Sequence, residues 1–204
     1  MEQFPVPDPG SIPDPVSDLA PVPGPVPGPG PLAVRALRPE DEPDAARLLA
    51  ACDDYLVTAT GSPALPADVQ SLYYSLPEGA SYERKHLLVL VREDVLVGLV
   101  DAVEDHPETA TCSVGLFLLA PRARGQGLGT RAARYLLRAA AARGTRRVTA
   151  TCPRGWAPGR AFLTRLGFEI HEPAPEPSAV VGNRLRRPAE RHLCTAVRHL
   201  PEAS

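Results

Sequence analysis

Between Leu32 and Leu200 the apolar positions switch repeatedly between helical and strand-like spacing, and the order of those blocks predicts an architecture. "LAVRALRPEDEPDAARLLAACDDYL" reads as a short strand, a turn and a helix, with Leu48, Leu49, Cys52, Tyr55 and Leu56 at helical spacing. Asp41 is the expected N-cap of that helix, and Pro43 sits in its first turn, where a missing N–H costs little. A stretch punctuated by glycine and proline follows and holds one short helix around Asp68 to Leu76. "HLLVLVRE" and "VLVGLVDAVED" meet at Glu93 and Asp94 and predict a hairpin, and "ATCSVGLFLLAP" is a third strand. Both hairpin arms are apolar at consecutive positions, so the sheet is expected to be covered on both faces.

"TRAARYLLRAAAARG" predicts a long helix ending at Gly144, a residue suited to the C′ position. "RRVTATCP" then reads as a strand, "GRAFLTRLGF" as a helix running into a strand, and "ERHLCTAVRHL" as a terminal strand. Ahead of all this, "PVPDPGSIPDPVSDLAPVPGPVPGPGP" is too rich in proline and glycine for a ladder or a helix. Residues 1–31 are therefore predicted to be a disordered, partly polyproline-II tail in front of a globular domain spanning 32–204. A docking peptide for a proline-reading module is the weaker reading, since no flanking arginine sets a binding register.

Chemistry concentrates where the third strand hands over to the long helix, in "LFLLAPRARGQGLGT". The first N–H groups of a helix have no internal acceptors and, with the positive end of the dipole, favour phosphate. Gly125, Gly127 and Gly129 would let a diphosphate approach the backbone, and Arg122 and Arg124 add permanent charge. A tight turn solvated by arginines would look the same from glycine count alone. The NTPase P-loop fits worse, since no lysine stands there. The Rossmann fingerprint also fits worse: its third glycine would come one residue later, and the preceding strands read as an antiparallel meander.

Arg124-Gly125-Gln126-Gly127-Leu128-Gly129 resembles the acyl-CoA signature of the GNAT superfamily of N-acyltransferases, and "RAFLTRLGFEI" resembles that family's second CoA motif. The order of elements is similar too. The resemblance runs from about Ala33 to Leu200 and implies an α/β fold: a mixed, mostly antiparallel sheet of about six or seven strands with helices on both faces. It implies acetyl-CoA as co-substrate and no metal. Backbone groups from Gly125 through Gln126, Gly127, Leu128 and Gly129 to Thr130 would hold the pyrophosphate, flanked by Arg124. Phe117, Leu118 and Leu119 would pair with the pantetheine arm, and the helix from Ala161 would close the cleft.

The implied reaction is direct attack of a neutral amine on the thioester, which needs a base, an oxyanion donor and an exit for the thiol. A strand amide near Leu119 would be the oxyanion donor. Many relatives protonate the thiolate with a tyrosine on the last helix, but that position here is Leu163, and Trp156 stands near the place of a frequent asparagine. For the base, Glu104 is the first expectation and His106 the second, from the strand end "VDAVEDHP", provided burial raises the carboxyl pKa. Asp54 and Tyr55 are the expected acceptor-side residues. A non-catalytic acyl-CoA sensor on the same fold is the alternative, favoured by the missing tyrosine.

Composition narrows the field further. A formal net charge of -2 over 204 residues gives no whole-chain case for nucleic-acid binding. No apolar run approaches the roughly 18 residues that span a bilayer, and the acidic, proline-rich start is unlike a secretory signal. A cytoplasmic protein with no membrane partner is expected, acting on a small-molecule or peptide amine; a homodimer is compatible with this reading. Cys52, Cys112, Cys152 and Cys194 lie far apart without a C-x-x-C pair and read as reduced structural thiols rather than a zinc site.

Overall fold

The computed structural model describes residues 24–28, 30–172 and 193–201. Its strands are β1 (Gly24–Pro25), β2 (Ala33–Ala36), β3 (Lys85–Arg92), β4 (Val95–Glu104), β5 (Thr111–Leu119), β6 (Arg147–Pro153), β7 (Glu169–His171) and β8 (Leu193–His199). They form one eight-stranded sheet in the order β1-β2-β3-β4-β5-β6-β8-β7. Among the described residues only β5 and β6 run parallel; the other pairs are antiparallel. The count exceeds the expected six or seven because β1, only two residues long and set among prolines, is too short for a periodic signal.

The helices are α1 (Glu42–Ala51), α2 (Asp53–Thr60), α3 (Asp68–Tyr74), α4 (Leu128–Ala142) and α5 (Ala157–Arg165). They lie on both faces of the sheet. Leu88, Val100, Ala102 and Val114 are cross-strand neighbours that face α4 and α5, whereas the alternating Val89 and Leu99 are buried on the side where α1 packs. That two-sided burial is why β3 and β4 read as unbroken apolar runs. Their connection is the expected two-residue turn, with Glu93 at φ 52° and Asp94 at φ 62°, the signs of a type I′ hairpin. Gly144 follows α4 at φ 99°, as its expected C′ role requires.

Three local expectations change. The single helix foreseen from Asp41 breaks at Cys52, which leaves helical geometry (φ -106°, ψ 29°) and separates α1 from α2. Asp41 does not cap α1. Its carboxylate accepts hydrogen bonds from the Arg35 guanidinium at 2.5 and 2.8 Å and from the Arg38 N–H at 3.0 Å, fastening the entry of the helix to β2. The tail boundary at residue 31 also moves. Gly24–Pro25 pairs with β2 and Val26 is buried, while Arg131 of α4 donates to the carbonyls of Val26, Pro27 and Gly30. Residues 1–23 lie outside the described residues. Among the described residues, no helix is long and apolar enough to cross a membrane.

Candidate functional site

The sheet splits at its one parallel junction. β5 pairs with β6 only where Thr111–Val114 meets Arg147–Ala150. Beyond that, β5 stays on β4 as far as Leu119, and β6 stays on β8 as far as Pro153. Gly115–Leu119 and Thr151–Pro153 therefore face each other across a gap. A register shift on β5 opposite Asp101 and Ala102 leaves Gly115 as an extra residue there, and such a bulge bends a strand out of line. Parallel neighbours need a crossover, so α4 must start at the open end of the gap. The ring of Phe162 on α5 lies 5.4 Å from that of Phe117 and closes the floor.

The glycine loop forms the mouth of this gap. Gly125 (φ 74°) and Gly127 (φ 77°) adopt the left-handed backbone, and a Cβ on either would meet only open space. Gly127 is the N-cap of the 15-residue α4, and no side chain caps that terminus. The Arg131 N–H returns to the Gly127 carbonyl at 3.1 Å, which leaves the amides of Leu128, Gly129 and Thr130 as the helix's unpaired first donors. Gly129 answers a different demand, because a Cβ there would stand 2.8 Å from Leu119 Cδ1 and 3.4 Å from Phe162. It is small for packing, not for phosphate approach. Gln126 and Leu128 offer only backbone: Gln126 bonds to Arg122 O (2.6 Å) and Arg92 (2.8 Å), and Leu128 is buried in the core.

Gap, loop and the space beneath α4 join in one cavity of about 640 Å³. Phe117, Leu118, Leu119, Arg124, Gly125, Gly127, Gly129 and Thr130 line it, so the expected coenzyme residues converge except for the side chains of Gln126 and Leu128. Arg124, expected beside the diphosphate, points elsewhere. It pairs with Asp54 at 2.6 Å, donates from Nε to Leu119 O at 2.9 Å and lies 5.6 Å over the Trp156 ring. The Leu119 carbonyl also accepts from Cys52 Sγ (3.4 Å), so that oxygen is already engaged.

Of the two expected bases, Glu104 lines the cavity at its closed end and His106 lies outside it. Glu104 pairs with Cys112 at the closed end of the β5–β6 junction, five residues and roughly 16 Å along the strand from Phe117. Burial alone would raise its pKa, but the nearby His86 ring and Arg143 guanidinium outweigh burial and hold it at about 2. Arg143 Nε donates to Glu104 Oε1 at 2.9 Å, and His86 Nε2 stands 3.3 Å from Oε2 without hydrogen-bond alignment. A carboxylate held so low takes up no proton near neutrality. His106 sits in the β4–β5 turn, its N–H bonded to Thr111 O at 3.1 Å, and does not line the cavity. Asp54, expected to receive a cationic substrate, is engaged by Arg124, and that bond holds its carboxyl below the ordinary value.

Tyr55 does reach the cavity. Its ring meets Trp156 edge-on at 5.8 Å, and burial pushes its hydroxyl up to about 12. The wall opposite β5 consists of Thr151, Cys152, Trp156, Pro158 and Gly159, of which only Trp156 stands out in the sequence. A glycine in a first helical turn is the available signal. A Cβ on Gly159 would stand 3.0 Å from Cys152 Sγ and would collide with Trp156.

The family model described as acetyltransferase (GNAT) family matches residues 48–168. An acetyltransferase from Thermus thermophilus is 24% identical, with a TM-score of 0.63 over 83% of this chain and 97% of that one. An acetyl transferase from Salmonella typhimurium that modifies the N-terminal serine of ribosomal protein L7/L12 is 15% identical, with a TM-score of 0.60 over 83% of this chain and 95% of that one. A PaiA N-acetyltransferase from Thermoplasma acidophilum, solved with coenzyme A, is 10% identical, with a TM-score of 0.57 over 83% of this chain and 99% of that one. At these identities the likeness is one of fold. No curated protein matches the chain.

Proposed function

Because the chain belongs to the GNAT acetyltransferase family, we propose that it transfers an acyl group from acetyl-CoA to the amine of a small-molecule or peptide acceptor. The observation that carries this reading is the uncapped start of α4 at the mouth of the split sheet, beside two glycines that face open space. A diphosphate fits there, on the Leu128, Gly129 and Thr130 amides and the helix dipole. Acetyl-CoA brings the activated thioester. The free edge of β5 from Gly115 to Leu119 is suited to the pantetheine and to an oxyanion donor, as a preorganised backbone amide in a water-poor gap.

Tyr55 stands in for the tyrosine missing at Leu163 as a hydrogen-bond donor to the departing sulfur, which leaves as thiolate and takes its proton from solvent. Its hydroxyl stays protonated throughout the working pH range, and it belongs to the same cavity wall as Trp156. A hydrogen bond to a charged acceptor contributes about 2 kcal/mol. The Tyr55→Phe variant is therefore expected to lose roughly thirtyfold in kcat, by a factor that stays constant from about pH 6.5 to 9 because the hydroxyl keeps its proton throughout. Steady-state thiol release measured from pH 6.5 to 9 checks this; a kcat equal to the unsubstituted chain's at pH 7 removes Tyr55 from the role.

Two measurements test the function itself. Acetyl-CoA should raise the melting temperature well above the effect of ATP or NAD at equal concentration. A panel of primary amines should then raise thiol release above the hydrolytic background. If coenzyme A stabilises the fold and no amine accelerates release, the non-catalytic sensor suggested by Leu163 is the correct reading.

A further inference from the structure

We propose that the part of the cavity beneath α4 is an acyl chamber, so that the chain accepts acyl-CoA donors with straight apolar acyl groups longer than acetyl. This rests on the acyl-CoA reading above. The residues lining the cavity lie in two places. One is the gap between β5 and β6, walled by Trp156, Gly159 and Phe162, which the pantetheine would fill. The other runs along the inner face of α4 from Gly129 to Ala140, a length of roughly 16 Å at 1.5 Å per residue. A pantetheine arm in the gap would leave this second space free.

Small side chains widen the layer between larger ones, with Leu137, Leu163 and Phe168 also on the cavity wall. Ala133 and Ala140 of α4 look onto Ala102, Cys112 and Ala150 of the sheet, where interlocking large residues would normally fill the layer. Leu88, Val100, Val114 and Val148 make the remaining sheet wall apolar. The far end is closed by Arg143 and Glu104, whose charges are already paired, with His86 beside them. A second carboxylate at the tip of the acyl group would meet Glu104. An uncharged alkyl tip meets no such penalty, so the chamber selects apolar chains. The reaction is unchanged: the thioester C–S bond breaks, an amide C–N bond forms, the amine loses a proton, and the departing coenzyme A thiolate takes one from solvent.

The test is a calorimetric binding series on the full chain with coenzyme A and its acetyl, butyryl, hexanoyl and octanoyl thioesters. Affinity should rise about three- to fourfold with each added methylene until the chamber is full. The Ala133→Leu variant, which narrows the middle of the chamber, should cut the ratio of hexanoyl to acetyl affinity by about tenfold or more. Flat affinity across the series overturns the chamber and leaves the coenzyme site standing. Loss of affinity for every member, coenzyme A included, overturns the coenzyme site as well. Should Ala133→Leu fail to fold, the series on the unsubstituted chain decides alone.

Discussion

The Gly127→Glu variant is expected to lose about a hundredfold or more in affinity for coenzyme A while keeping a cooperative unfolding transition. Gly127 stands at the N-cap of α4, and a Cβ on it would have nothing within 4 Å, so a side chain there projects into the open mouth without striking the core. The left-handed backbone at φ 77° costs a non-glycine residue about 1 kcal/mol, which a domain survives. The large effect is electrostatic. A carboxylate beside the unpaired amides occupies the anion site and repels a diphosphate, and like charges so placed cost several kcal/mol. Calorimetric titration with coenzyme A and thermal unfolding of the same sample check both halves. Retained affinity would move the diphosphate away from this loop.

The second large effect concerns Glu104 and belongs to stability. Its carboxyl is held at about 2 in the folded chain against an ordinary 4.5, by His86 and Arg143 acting against the cost of burial. A depressed carboxyl pKa stabilises the fold above the ordinary value. That contribution disappears as pH falls from about 4.5 towards 2. The shift corresponds to about 3 kcal/mol, and at 9% side-chain exposure little of it is screened by solvent. The Glu104→Gln variant is expected to unfold about 3 kcal/mol more easily in urea at pH 7, with the difference closing below about pH 4.5. Its pH–rate profile should keep its shape, because the carboxylate stands at the closed end of the strand junction. A lost acidic limb would restore Glu104 as the base.

Periodicity carries the sequence reading where elements are long. β3, β4, β5 and α4 repeat their apolar spacing over seven residues or more, and each stands where expected. The glycine loop stands out only through its place between a strand and a helix and the second motif downstream, since alternate glycines alone read equally as a tight turn. Glu104 is misplaced when only its position at a strand end is weighed. Strand parity sets it beside Val100 and Ala102, and so on the α4 face at the closed end. The partner of Arg124 cannot be read from the chain. Arg124 meets Asp54 seventy positions away in sequence, and such pairings are settled by topology rather than by local pattern. Gly115 looks like any strand glycine until its register against β4 is known.

The lone reversal of strand polarity between β5 and β6 has a wider consequence. The linker joining two co-directional strands has to begin where the first one finishes, so connectivity alone brings the electropositive pole of α4 to the parted end of the sheet. The anion site proposed at that spot is thus built by the wiring, to which individual side chains add refinements. Sequence can drift far while the wiring holds, as folds shared at 10% to 24% identity illustrate.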